Sequence, residues 1–173
     1  MKRIPMAVAA ALFSATFVAY AQGGPNDAQI AAIVVTANQV DIDAGKLAER
    51  KAKEKDVRDF GKMMVTDHTG VNKQAKALVT KLHVKPEDNP TAESLKKEGK
   101  ENVAHLKTLK GAAFDKAYID HEVVYHQQVI DAMDKTLIPS AKNPELKALL
   151  EKVRPAFVAH LDKAKALQGE YGK

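Results

Sequence analysis

The chain has no cysteine. Disulfides, thiolate metal sites and thiol catalysis are therefore excluded, and there is no lipid-acceptor cysteine near the start. Strand-like alternation, internal repeats and low-complexity tracts are also missing, which leaves all-α as the fold class. No serine stands in a nucleophile-elbow context, and neither a Gly-rich phosphate loop nor an HExxH zinc motif occurs. Hydrolase and nucleotide-binding readings have no positive sign, and no phosphate or nucleotide ligand is expected. The formal charge of +5 is spread as mixed signs with no basic block and no aromatic interleaving, so nucleic acid is not an expected partner.

Long hydrophobic runs are scarce. The first residues carry the most apolar one, from Ala7 to Val18, behind Lys2 and Arg3 and ahead of Ala19-Tyr20-Ala21. A charged start, a short Ala-rich core and small residues at the two positions a signal peptidase needs describe a signal peptide over residues 1–21. Cleavage after Ala21 leaves residues 22–173 as one domain, periplasmic or secreted, with no stable membrane span.

Apolar residues in that domain recur at steps of three and four, which predicts four long helices. Helix A carries Ile30, Ile33, Val34, Ala37, Ala44 and Leu47, and helix B carries Val57, Phe60, Met64, Val71, Ala75 and Leu78. Helix C runs from about Ala112 to Leu137 and is stopped by Pro139 and Ser140. Asn143 and Pro144 then start helix D with a cap and a first-turn proline. Between B and C, residues 83 to 111 contain Pro86, Pro90 and Gly99. That stretch is long enough to travel back along a helix, with a weak helix within it, so B and C should run parallel.

Each stripe holds one titratable residue where an apolar one is expected: Asp41 in A, His68 in B, His126 in C and His160 in D. In helix C, Tyr118, Glu122 and His126 stand four apart on one face, so a phenol and a carboxylate accompany the imidazole. Buried polar groups of this kind need hydrogen bonds, water or a metal, because leaving them unpaired costs several kcal/mol. Counting from a turn near Lys55 places Asp41 and His68 at one level. Counting from a turn near Ser140 leaves His126 and His160 apart by about 9 Å, with Glu122 the better match for His160. Imidazoles and carboxylates inside a bundle form a ligand set for a single ion of zinc, iron, copper or manganese. The metal candidates are His68, His126, His160, Asp41 and Glu122, and Asp67, Asn72 and Tyr118 are candidates to orient them. No catalytic residue is assigned. His83 and His105 sit in polar surroundings and read as solvated.

FGKMMVTDHTGVN (Phe60 to Asn72), FDKAYIDHEVVYH (Phe114 to His126), AHLDKAKAL (Ala159 to Leu167) and NQVDIDAGKLAERKA (Asn38 to Ala52) resemble the DUF4142 family of bacterial exported proteins. The resemblance implies a ferritin-like four-helix bundle with a long, partly helical crossover between helices B and C, and no assigned function. Ferritins themselves carry Glu-x-x-His on two helices. None of the six histidines here has an acidic residue three positions earlier, so an oxo-bridged di-iron centre is not expected. Two readings stay open: a metal-binding bundle in metal handling or oxidative stress, and a structural or stress-protective bundle whose polar core is only hydrogen-bonded and which acts through its surface. Oligomeric state is not legible.

Overall fold

The computed structural model describes residues 23–171, so the expected signal peptide lies outside the described residues. Helix α1 (Asp27–Lys51) starts at Asn26, whose side chain accepts from the Gln29 amide while the Gln29 side chain accepts from the Asn26 amide. That reciprocal pair satisfies two of the first-turn donors. Helix α2 (Lys55–Lys81) follows after a three-residue link, and α3 (Pro90–Thr108) begins with an Asn89 cap and a first-turn proline. Helix α4 (Gly111–Ala132) continues through a π-helical turn, Met133–Leu137, into the short α5 (Ile138–Ser140). Asn143 caps the last helix, α6 (Pro144–Tyr171), by accepting from the amides of Glu145 and Leu146. No strand occurs among the described residues, and none of their helices is long and apolar enough to cross a membrane.

Hydrogen bonds between helix ends fix the directions. At one end Asp27, opening α1, accepts from the backbone amides of Lys142 and Asn143, just before α6. At the other, Asp115 near the start of α4 accepts from the amides of Lys53 and Glu54, just before α2. Helices α2 and α4 therefore start at the same end and run parallel, as the length of the connection requires. The return is made by α3, a full helix of 19 residues rather than a weak one. Its Asn89 end bonds the backbone of Gln29 and its far end meets Lys51, so it lies along α1, where Ala92 and Leu95 join one part of the apolar core and Leu106 the other.

Helices α1 and α2 approach closely at Gly45 and Gly61. A Cβ at Gly45 would come within 2.7 Å of the Gly61 carbonyl oxygen, and one at Gly61 within 2.9 Å of the Gly45 oxygen. Only glycine permits that backbone-to-backbone contact, which sets the spacing at Asp41 and His68 within two turns of it.

The apolar core is in two halves. One gathers Ile33, Val71, Val129, Met133, Leu150 and Phe157, with neighbours; the other gathers Leu47, Phe60, Met64, Phe114, Tyr118 and Leu167. Along α1, α2 and α4 the changeover falls at Asp41, His68 and Glu122 to His126. A polar layer thus crosses the molecule at mid-height.

Candidate metal centre

Imidazoles from α2, α4 and α6 meet in this layer. The ring centroids of His68, His126 and His160 are 5.2–5.7 Å apart, and one nitrogen from each lies within 4.8 Å of the others. His68 and His126 are fully buried and His160 is 4% exposed. The level expected from counting missed His126 and His160. The helical run continues through the π-helical turn and α5 to Ser140, and the link to α6 is formed by residues 141–143, about two residues later than counted. The wider π turn also takes up more chain per turn.

Each imidazole is held by one nitrogen. His68 Nδ1 lies 2.7 Å from Asn38 Oδ1, and the Asn38 amide donates to the Val34 carbonyl at 2.7 Å. That second bond fixes which way the amide faces, so His68 Nδ1 must be the donor. His126 Nδ1 donates to the Glu122 carbonyl oxygen at 3.0 Å and lies 3.3 Å from that residue's carboxylate. His160 Nε2 lies 2.9 Å from Asp67 Oδ2. The opposite nitrogens, His68 Nε2, His126 Nε2 and His160 Nδ1, have no hydrogen-bond partner. Metal-binding histidines share this division of labour, one nitrogen tied to an oxygen that sets the tautomer and the other left as a lone pair.

Carboxylates adjoin the imidazoles. Asp41 Oδ2 is 3.5 Å from His68 Nε2, beyond good hydrogen-bond geometry, and Asp41, Glu122 and His126 form a second group whose donor atoms lie within 4.8 Å of one another. All four carboxylate oxygens of Asp41 and Glu122 lack a hydrogen bond. Burial pushes the Asp41 carboxyl well above its ordinary value, with Glu122 adding to the effect and His126 opposing it. Burial would depress His126, but the charges of Asp41 and Glu122 outweigh it and hold that imidazole at about 9. His68 is driven well below its usual value by burial and by the two other imidazoles. Burial also lowers His160, against the pull of Asp67.

Of the residues expected to orient the ligands, Asp67 does lie against one of them, His160, with its own side chain 44% exposed. Asn72 orients no histidine; its amide reaches the Val35 carbonyl at 3.3 Å. Tyr118 is fully buried beside Glu122 but makes no hydrogen bond through its hydroxyl; burial, then the neighbouring carboxylates, raise its pKa. Asn38 escaped notice because a single amide in an apolar stripe reads as tolerated polarity. Its signal is position, one turn before Asp41 on the same face. His83 and His105 are exposed.

A tetrahedral ion bound at about 2.0–2.1 Å places its nitrogen ligands roughly 3.4 Å apart, so donor atoms within 4.8 Å of one another need to close by at most about 1.4 Å. Seven buried atoms of the five candidate ligands, three nitrogens and four oxygens, have no hydrogen-bond partner. At about 1–3 kcal/mol for each unsatisfied group, their combined penalty is on the order of 10 kcal/mol, comparable to the whole stability of a domain. A cation ligated by four of these atoms would remove roughly half of that penalty at once.

Residues 13–167 match the family model described as a domain of unknown function, DUF4142. No curated protein matches the chain, and no solved structure does.

Proposed function

The chain belongs to the DUF4142 family, and from that membership, which assigns no activity, we propose that it binds one divalent transition-metal ion in its polar layer. His68 Nε2, His126 Nε2 and His160 Nδ1 are the nitrogen ligands, and a carboxylate oxygen of Asp41 or Glu122 is the fourth. The observation that carries this reading is that all three imidazoles are anchored through one nitrogen and leave the other unpartnered. His126 has one free nitrogen only, because Nδ1 is committed to the Glu122 carbonyl. It can therefore serve the imidazole group or the carboxylate group, which supports one ion rather than two.

The donor set of imidazole and carboxylate without thiolate suits zinc, iron, manganese or copper(II). Nothing in the layer resembles a nucleophile or a substrate pocket, so the role is binding and handling of the ion, in an exported protein built as a four-helix bundle with α3 as its crossover. Element analysis of protein purified without chelators, together with melting curves after adding zinc, iron(II), manganese or copper(II), is the test. About one equivalent per chain and a melting temperature raised in proportion to affinity support the reading. Less than a tenth of an equivalent with no thermal shift from any ion sinks it.

A second reading has one observation in its favour. His126 held at about 9 sits as a cation between carboxylates, so the layer can neutralise its own charge. That reading predicts ordered water in the layer and indifference to all four metals.

A further inference from the structure

An apolar cavity of about 30 Å³ lies on the α5 side of the polar layer. Val71, Val129, Met133 and Leu150 contribute to its wall, and Asn38 and Phe157 form the side toward the histidines. All six are buried. The volume is enough for a water-sized occupant, but a water needs two to four polar partners to be retained. Asn38 supplies the only polar side chain in the cavity's lining, and its oxygen and nitrogen already bond His68 and Val34, so a water there would fall short of the partners it needs. The space is therefore dry. Phe157 and Asn38 separate it from the imidazoles: the Phe157 ring centroid is 5.1 Å from His68, 6.1 Å from His126 and 6.2 Å from His160. The π-helical turn supplies Met133 and Leu137 to the same wall, and π-helical turns gather at functional sites.

We propose that this cavity is a binding site for a small apolar diatomic gas, dioxygen or nitric oxide, poised to reach the ion past the Phe157 ring. The inference rests on the metal-binding reading for the second half of that path but not for the first. A dry apolar wall selects an uncharged diatomic molecule and excludes water, superoxide and inorganic anions. The metal, approached from this side, meets gas without a competing water chain.

Xenon is the probe for the cavity, applied to metal-free full-length protein and read by xenon NMR shift or in crystals under pressure. One saturable site between Met133 and Leu150 is expected, weakened at least tenfold by Ala132→Leu, which fills the space from the wall. Should that variant fail to fold, Val71→Ile adds a single methylene to the same wall. The absence of a xenon site, or a crystallographic water in the cavity, overturns the proposal. Nitric oxide binding to the iron(II)-loaded protein tests the path: Ala132→Leu should slow association about tenfold at unchanged iron content, and equal rates overturn it. Protein that takes xenon but no ion sinks the metal reading and delivery with it. Protein that loads iron and excludes xenon removes the gas site alone.

Discussion

Asn38 and His68 are 2.7 Å apart, and the amide is locked in place by its own bond to the Val34 carbonyl. The backbone of α1 therefore decides which nitrogen of an α2 histidine faces the polar layer. Replacing Asn38 by Leu removes the acceptor and frees the ring to turn. Metal affinity should fall 10- to 100-fold, the usual cost of losing an orienting partner, while helix content is kept. Competition against a chromophoric chelator measures it, and an unchanged affinity refutes the role of Asn38.

Binding should release a proton. His126, held at about 9, carries a proton on Nε2 at neutral pH, and an ion must displace it. Apparent affinity should climb with pH up to about 9 and level off beyond. Calorimetry at pH 7.5 in two non-coordinating buffers of different ionisation enthalpy should report at least one proton released per ion. Heats independent of the buffer would refute it.

Without metal, stability should drop as the solution becomes alkaline. The folded pKa of His126 exceeds its unfolded value of 6.5, so its contribution is complete below 6.5 and is lost as pH rises through about 9. Asp41, also raised, acts in the same direction. His68 and His160, lowered in the fold, act oppositely, and their cost appears below 6.5. Denaturant titrations from pH 7 to pH 9.5 should show a loss on the order of 2–3 kcal/mol. In Glu122→Gln the slope should flatten; an equal slope would assign the effect elsewhere.

Gly61→Ala should destabilise the protein by about 1–3 kcal/mol, because the new Cβ meets backbone atoms that must move apart. It should also weaken metal binding by spreading α1 from α2 at Asp41 and His68. Gly70→Ala, with nothing within 4 Å of the added carbon, is the control and should be neutral or stabilising. Equal effects at the two positions would show that the close approach is unimportant.

Much of the fold was legible because its signals are local. Asn143 announces a helix start through its own side chain, and the stripe periodicity marks the buried faces. Asp41 and His68 were placed at one level because the link between α1 and α2 is short and leaves little to miscount. The level of His126 and His160 was lost at Met133–Leu137, since a π turn differs from an α turn by hydrogen-bond register alone and leaves no mark in residue type. Which histidine Asp67 would meet, and that Asn72 would meet none, was unreadable for a different reason. Adjacent helix positions point about 100° apart, so Asp67 beside His68 in sequence must face another helix, and which one depends on packing. Asn38 is a case of the same kind, its partner lying thirty positions away.

The division of the core into two apolar halves has a mechanical outcome. An ion at mid-height would act as a rivet through α2, α4 and α6, so that loaded protein melts in one step and stripped protein loosens first along the seam between the halves. Amide exchange near His68, His126 and His160 would then record whether the rivet is in place.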